Sequence, residues 1–188
     1  MVRKRRSAGR PRKPVIDRER ILGAGLALLE ARGLEGTTMR ALARRLRVDP
    51  MALYHYFPDR DAVLRAAAER VYAGLSPRPA RGWRGRLEAL AVAYVRLLGR
   101  SGELLRYLTH DAQAASGPSV RFAALFHAGI APLQLPPRAA RVAHDAFVDF
   151  LHGFALAGPG ARARLRAELA VLLAGIAALS RRRRARAR

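Results

Sequence analysis

Basic, aromatic and hydroxyl-bearing side chains are concentrated in residues 37–60, with the sequence TTMRALARRLRVDPMALYHYFPDR. Guanidinium groups bind phosphates and can pair with the O6 and N7 acceptors of guanine, and hydroxyl groups bind phosphate oxygens. These residue types therefore suit contact with a polyanion, provided that short structural elements hold them on an exposed face.

Two short helices joined by a tight turn are predicted for this stretch. Thr37 or Thr38 can cap the first helix. The residues that repeat at helical spacing on one of its faces are Met39, Leu42, Ala43 and Leu46. A three-residue break at 47–49 then separates the first helix from the second.

The second helix begins at Pro50, because Asp49 is a good N-cap and proline suits the first helical position. Leu53 and Phe57 are four residues apart, so both can face inward and leave the polar and aromatic residues around them on the other side. Pro58 ends this helix, which is predicted to reach Phe57. The pattern is that of a helix-turn-helix.

The same stretch, with the helix before it, resembles the DNA-binding domain of the tetracycline-repressor (TetR) family. That family has an amphipathic first helix ending at Gly, a T-x-x-x-(L/I)-A helix, a recognition helix ending L-Y-x-(H/Y)-F, and a turn with a basic residue. The matching parts here are residues 21–33, 38–43 and 53–57, followed by Arg60. Arg60 replaces the usual Lys, and Arg47 stands where Gly is common. A positive φ at Arg47 would cost about 1 kcal/mol.

The resemblance implies a role for each exposed position of the motif. Residues expected to face base edges are Arg40, Pro50, Met51 and Ala52. Residues expected to contact phosphates are Thr38, Tyr54, His55, Tyr56 and Arg60. For the two tyrosines and the histidine, packing within the small domain is the alternative.

Arginine-rich segments lie at both ends of the chain. Residues 1–16 form a basic arm in which G-R-P-R-K resembles the core of an AT-hook, so Arg10 and Arg12 are candidates for an A·T-rich minor groove. A solvated arm that adds nonspecific charge is the alternative. Residues 181–188 form a tail that is expected to be unordered and solvated, with phosphate binding as the alternative.

The overall composition indicates a globular chain with a polyanionic partner. Of its 188 residues, 51% are hydrophobic, which suffices for a core, and the formal net charge is +22. Nucleic acid is therefore the first candidate partner and an anionic membrane surface the second. The absence of cysteine excludes disulfides and thiolate metal sites. No signal peptide or bilayer-spanning run is evident, so a cytoplasmic protein without a membrane partner is expected.

The rest of the pattern is helical, so the predicted fold class is all-α. Residues 17–62 are expected to form a three-helix DNA-binding domain, and residues 63–180 a second helical domain. Helices are predicted at 17–32, 59–75, 83–100, 103–112, 119–131, 137–156 and 161–180, in addition to the two above. The helix order of the second part resembles the ligand-binding and dimerisation domain of TetR-like proteins.

That resemblance implies a cavity and a dimer interface. Side chains expected to line a cavity for an unknown small-molecule effector are Tyr94, Tyr107, His110, Phe122, Phe126, His127 and Phe147. Side chains expected in a four-helix dimer interface are Phe147, Phe150, Leu151, Phe154, Leu169, Leu172, Leu173 and Ile176. Ordinary packing within one chain is the alternative for both groups.

Catalytic and metal-binding patterns are not evident. The sequence has no nucleophile elbow, phosphate-binding Gly loop or zinc motif, so neither an enzyme nor a cofactor is expected. His144 and Asp145 are adjacent and are expected to point apart. Asp145, Asp149 and His152 share a helix face that could hold a divalent cation. Pairing with arginines such as Arg141, or with a partner subunit, is the simpler expectation, and no metal site is predicted.

Two functional hypotheses follow from these observations. The first is a homodimeric, ligand-responsive transcriptional regulator that reads a pseudo-palindromic operator in double-stranded DNA. The family resemblance implies that it acts as a repressor. The second is a nonspecific or architectural DNA-binding protein without an effector, in which the charge and the arms dominate.

Overall fold

Nine α-helices and one short 3-10 helix, Ala131–Leu133, lie in the part of the chain that the computed structural model describes, residues 16–99, 102–110, 119–157 and 163–186. Side chains are described over these ranges except at 109–110, 119 and 181–186. The helices are α1 (Arg18–Gly36), α2 (Met39–Leu46), α3 (Pro50–Tyr54), α4 (Arg60–Ala73), α5 (Gly82–Leu98), α6 (Gly102–His110), α7 (Ser119–Ile130), α8 (Pro137–Leu156) and α9 (Leu165–Arg186). No strand occurs in the described ranges, and the all-α fold class is confirmed.

Side-chain caps fix the starts of the four N-terminal helices. The capping oxygens accept backbone N–H bonds at donor–acceptor distances of 2.6 to 3.1 Å and belong to Asp17, Thr38, Asp49 and Asp59. Each such cap contributes about 1 kcal/mol to helix stability. Pro50 occupies the first position of α3, as its sequence context predicts. Short-range chemistry therefore sets where each of these helices begins.

Two backbone positions in the left-handed region shape the turns of this domain. Gly33, with φ 64°, interrupts α1 at the predicted C-cap, and its carbonyl accepts a 2.8 Å hydrogen bond from the buried Thr37 hydroxyl. Arg47, with φ 57°, makes the turn between α2 and α3. A side chain at such a position costs about 1 kcal/mol relative to Gly. The departure from the family pattern therefore strains the turn without abolishing it.

Helix α4 belongs to both hydrophobic cores of the molecule. The N-terminal core is built by α1, α2 and α3 around Ile21, Leu42, Leu53 and Phe57. Val63 and Ala67 of α4 complete that core, whereas Leu64 and Ala68 pack into the larger core formed with helices α5 to α9. Successive helical positions point about 100° apart, so one helix can serve both cores. The predicted division after residue 62 thus falls inside a helix that joins the two parts.

Several helix ends differ from the prediction. Helix α3 ends at Tyr54 and does not reach Phe57, because the amides of Tyr56 and Phe57 both bond to the Leu53 carbonyl and form a turn. Helix α9 continues to Arg186, so the backbone of 181–186 is helical where an unordered tail is expected. The remaining tail residues and the arm with Arg10 and Arg12 lie outside the described residues.

Gly25→Ala should destabilise the protein, because a Cβ at Gly25 would lie 2.9 Å from Cγ1 of the fully buried Val63 on α4. We expect the free energy of unfolding to fall by about 1–3 kcal/mol, measured by urea denaturation. The matched control is Gly23→Ala, where the nearest atom to the added Cβ is an Arg70 guanidinium nitrogen at 3.9 Å. That variant should be more stable than wild type by about 0.5–1 kcal/mol through helix propensity. Equal effects at both glycines would contradict this packing.

Candidate nucleic-acid interface

The outer surface of α2 and α3 carries the side chains that are predicted to face base edges. Arg40 on α2 and Pro50 on α3 are exposed, Met51 is 64% exposed, and Ala52 is partly buried. Leu53 is fully buried beneath them, so the first turn of α3 keeps its outer face in solvent. A guanidinium beside an apolar tip suits the acceptor edge of guanine and the methyl group of thymine.

Three of the predicted phosphate contacts are also available on this surface. Thr38, Tyr54 and His55 are exposed, and Tyr54 is 46% exposed despite its large ring. The Thr38 hydroxyl oxygen accepts a hydrogen bond from the Ala41 amide. The hydroxyl proton of Thr38 is therefore free to donate to a group outside the helix. Exposed hydroxyl, phenol and imidazole groups around a helix start suit the positioning contacts that phosphates receive.

The other two predicted phosphate contacts, Tyr56 and Arg60, are half-buried and bonded inside the domain. The Tyr56 hydroxyl donates to the Ile16 carbonyl at 2.8 Å. The Arg60 guanidinium lies 2.9 Å from the Asp61 carboxylate and donates to the Leu34 carbonyl at 3.3 Å. For Tyr56 the alternative of packing within the domain therefore describes the structure well. Both side chains hold neighbouring elements together in the absence of DNA.

Three further arginines that the sequence analysis did not name as DNA contacts lie on the same motif as Arg40. Arg44, Arg45 and Arg47 are exposed on α2 and on the turn that follows it, and none forms an ion pair with a carboxylate of the described residues. Arg44 follows Arg40 by four residues, so both lie on one helix face. That spacing is the feature of the sequence from which Arg44 could have been predicted as a DNA contact. The four guanidinium groups make this side of the helix-turn-helix strongly basic.

Contacts from the first turn of α1 hold the turn that follows the recognition helix α3. The Arg18 guanidinium lies 4.3 Å from the centre of the Phe57 ring and donates to the Tyr56 carbonyl at 3.1 Å. A second arginine, Arg70 on α4, pairs with the Glu19 carboxylate at 2.6 Å. Exposed contacts of these kinds contribute about 0.5–1 kcal/mol each, but they fix how α1, α3 and α4 meet.

Comparison with known proteins identifies this arrangement. The family model described as bacterial regulatory proteins, tetR family, matches residues 21–67, which span α1 to the middle of α4. Residues 21–67 therefore form a DNA-binding domain of the TetR type. The chain is 34% identical over 118 residues to the HTH-type transcriptional repressor DrrR1 of Streptomyces coeruleorubidus, an alignment that covers 61% of this chain and 43% of that protein. It is 37% identical over 87 residues to the class C tetracycline repressor protein of Escherichia coli, covering 44% of this chain and 40% of that protein.

Solved structures extend the likeness to the fold of the second domain. The structure of BioQ with its natural double-stranded DNA operator is 23% identical, covers 87% of this chain and 99% of that chain, and has a TM-score of 0.73. The TetR regulator SCO7222 of Streptomyces coelicolor is 22% identical, covers 88% of this chain and 100% of that chain, and has a TM-score of 0.74. The alignments with the two curated relatives above cover less than half of the length of those proteins.

In the second domain the aromatic side chains that are predicted to contact an effector pack directly against one another. The ring centres of Tyr94 and Phe122 are 4.5 Å apart, and those of Phe126 and Phe147 are 5.2 Å apart. These four rings and Tyr107 are almost fully buried. The structure brings most of the predicted set together as one aromatic cluster in the core. The side chain of the predicted residue His110 lies outside the described residues.

The remaining predicted pocket residue, His127, is exposed and stacks on His144, with ring centres 5.6 Å apart and an interplanar angle of 8°. His144 also contacts the neighbouring carboxylate, with 3.0 Å between its Nδ1 and Asp145 Oδ1. The expectation that His144 and Asp145 point apart is therefore wrong, because rotation about the side-chain bonds brings the two groups together at the helix surface.

A chain of three polar side chains crosses the aromatic cluster and ends on α4. The Tyr72 and Tyr94 hydroxyl oxygens are 2.9 Å apart, and the Tyr94 hydroxyl lies 2.7 Å from His152 Nε2. The three residues lie on α4, α5 and α8. The Tyr72 hydroxyl bonds to no other described group, so its proton is best satisfied on Tyr94, and Tyr94 in turn donates to His152. This direction requires a neutral His152 with its proton on Nδ1.

Burial supports the same assignment. Desolvation lowers the pKa of His152 below its ordinary value of 6.5, and the nearby Asp149 opposes that shift only in part. Desolvation also raises the pKa of both Tyr72 and Tyr94, so the phenols stay protonated. A protonated His152 would donate to Tyr94, reverse the chain and leave the Tyr72 proton without a described acceptor. An unsatisfied buried donor costs about 1–3 kcal/mol.

The residues predicted for a dimer interface lie mostly inside the protomer. Six of them are buried in the core of their own chain, namely Phe147, Leu151, Phe154, Leu169, Leu173 and Ile176. Phe150 and Leu172 are partly buried. For these six residues the structure shows packing within the chain, because α8 packs against α5, α6 and α7, and α9 packs against α5 and α8.

Neither a metal site nor a membrane span is found in the described part of the chain. The described residues hold no group of three His, Asp or Glu side chains placed to bind a metal ion. Of the three residues that share a face of α8, Asp145 contacts His144 and His152 contacts Tyr94. Within the same ranges no helix has both the length and the apolar character needed to cross a bilayer.

Acidification should destabilise the fold through His152. Because its pKa is lowered in the folded state, the unfolded chain takes up a proton first as the pH falls through 6.5, and stability falls with it. The measurement is the melting temperature of wild type and His152→Gln at about pH 7.5 and about pH 5.5. The loss on acidification should be smaller in His152→Gln. The control is His55→Gln on the exposed surface of α3, and a loss as large in His152→Gln as in wild type would contradict the assignment.

Proposed function

We propose that the chain is a homodimeric transcriptional repressor that binds a pseudo-palindromic operator and responds to a small molecule. The observation that carries the proposal is the exposed face of α2 and α3. Arg40, Arg44 and Met51 lie in solvent on this face, whereas Leu42 and Leu53 on the opposite face are fully buried. A helix end of this kind fits the major groove, and its flanking guanidinium groups reach phosphates. The match of residues 21–67 to the tetR family model supports it, and so do the relatives DrrR1 and class C tetracycline repressor, which are repressors.

Dimerisation is supported by unpartnered stripes on α8 and α9. Large apolar side chains stand in solvent there, with Val142 62% exposed, Leu156 50% exposed and Val171 74% exposed. The stripe on α8 continues through Ala146, Phe150 and Gly153, and the stripe on α9 through Ala167, Ala174, Gly175 and Ala178. Small residues at i, i+3 and i+4 spacing let helices approach closely. Two copies packed on these stripes would form a four-helix interface and place two recognition helices on one duplex.

A route for the effector response runs through α4. That helix packs into both cores, and its distal half is tied to α5 and α8 by the Tyr72–Tyr94–His152 chain. An effector that displaces one of these side chains would release α4 from the second domain. Since Val63 and Ala67 of the same helix support the recognition helix, the spacing of the two half-site contacts would change.

The formal charge of +22 favours one competing function, nonspecific or architectural DNA binding. In that case phosphate neutralisation would dominate, and affinity would depend steeply on salt but little on sequence. The two functions differ in what they require of Arg40. A sequence-specific protein needs the Arg40 guanidinium at one position, to contact a base. In an architectural protein Arg40 contributes only one of many positive charges.

Arg40→Ala should weaken binding to the operator by about 1–3 kcal/mol, the usual loss when an arginine contact to guanine is removed. The measurement is titration against the upstream intergenic DNA of the gene and against scrambled DNA of equal length, at about 150 mM salt. Arg138→Ala removes the same charge from the exposed start of α8 and is the matched control. Preference for one upstream fragment, lost in Arg40→Ala and kept in Arg138→Ala, is the expected result. Equal affinity of wild type for both DNAs would support the architectural function instead.

Val171→Glu should convert the dimer to a monomer, because it places two carboxylates in the shared apolar face. The molar mass in solution, from light scattering after size-exclusion chromatography, is the measurement. Val120→Glu on α7 is the control, since Val120 is 66% exposed and lies outside the stripes. Both variants should keep the helical circular dichroism of wild type. A dimer that survives Val171→Glu would place the interface elsewhere.

A further inference from the structure

A recess apart from the aromatic cluster lies between the loop after α4 and the helices α5 and α9. Its volume is about 370 Å³. The apolar part of its lining comes mainly from one face of α5, where Ala89, Val92 and Ala93 are partly buried. Pro79 and Ala80 of the loop complete it. Its charged part consists of three arginines from three different elements: Arg78 on the loop, Arg96 near the end of α5 and Arg166 in the first turn of α9.

These three guanidinium groups form no ion pair with a carboxylate of the described residues. All three are exposed, and none forms an ion pair or a hydrogen bond with a described group. Glu88 is the acidic residue of the lining, so the lining carries a formal charge of +2, three arginines against one glutamate. Unpaired guanidinium groups gathered around a concave surface attract an anion, and they bind carboxylate and phosphate oxygens in a fixed geometry.

We propose that this recess binds a small organic anion that carries an apolar chain, with a carboxylate or phosphate monoester as its head group. The head group would lie among Arg78, Arg96 and Arg166, and the chain would lie on the α5 face between them. The volume lies at the small end of the range for ligand sites, about 300–1,000 Å³. Neither half of such a ligand should bind tightly alone. An anion without an apolar chain leaves the α5 face exposed to water, and a neutral chain forms no ion pair with the guanidinium groups.

The position of the recess connects it to α4. The loop that carries Arg78 follows α4 directly, and its first buried residue, Leu75, is anchored by a 3.0 Å hydrogen bond from Arg121 Nε to the Leu75 carbonyl. A ligand that bridges Arg78 to α5 and α9 would fix this loop against the second domain. Any consequence for DNA binding rests on the proposed function, whereas ligand binding itself does not.

Calorimetric titration without DNA tests the site, with octyl phosphate and octanoate as probes below their micelle concentrations. Octan-1-ol and inorganic phosphate are the half-ligand controls. Fluorescence of Trp83, the single tryptophan of the chain, gives a second readout because it lies two residues before Gly85 in the lining. At about 150 mM salt, where diffuse attraction to a basic chain is screened, at least one octyl anion should bind and the controls should not. Binding of one octyl anion and not the other would identify the head group.

Charge variants separate the site from the general basicity of the chain. The double variant Arg96→Gln with Arg166→Gln should weaken binding of the octyl anion by about tenfold or more, since it removes two charge-assisted contacts. Arg138→Gln, which removes a charge elsewhere on the surface, should leave binding unchanged. Equal weakening by Arg138→Gln, equal binding of octan-1-ol, or no binding of either octyl anion would overturn the proposal. Since the assay contains no DNA, these outcomes leave the proposed DNA-binding function untouched.

Discussion

The packing of α4 into two cores at once constrains everything else in the molecule. Val63 and Ala67 complete the core under the recognition helix, while Leu64 and Ala68 lie in the core of the second domain. Protein cores are close-packed and deform little, so a helix held on both sides transmits a displacement from one core to the other. Gly25 allows the close contact that this requires, because α1 and α4 approach there until no room remains for a Cβ.

Charge is distributed in a way that serves this architecture. The chain has 36 basic and only 14 acidic residues, and several of the acids act at helix starts and at joints between helices. Asp17, Asp49 and Asp59 cap helices, and Glu19 ties α1 to α4 through Arg70. The arginines of α2 are left without carboxylate partners in the described part of the chain. A basic surface of this kind attracts any polyanion, so selectivity depends on how rigidly Arg40 and Met51 are held.

Three polar side chains in the second domain are linked to one another. The Tyr72–Tyr94–His152 chain satisfies two buried phenols and the partly buried His152, and it joins α4 to α5 and α8. In a low-dielectric interior such bonds are stronger than in water, and a broken one is correspondingly unfavourable. The chain therefore gives the second domain a specific hold on α4 in addition to apolar packing. The arginine-lined recess lies beside the loop that follows the same helix.

The sequence by itself determined the local features of this protein: the caps at Thr38, Asp49 and Asp59, the turn at Gly33, the family motif, and the all-α class with α8 at its predicted bounds. These depend on contacts within a few residues, which sequence order specifies directly. Tertiary structure alone decided which face of each apolar helix turns inward. Helical periodicity is the same for a core face and an interface face, so Phe147 and Leu151 could be assigned to a partner subunit when their own chain covers them. The meeting of Tyr72, Tyr94 and His152, and of Arg78, Arg96 and Arg166, likewise depends on how distant helices pack.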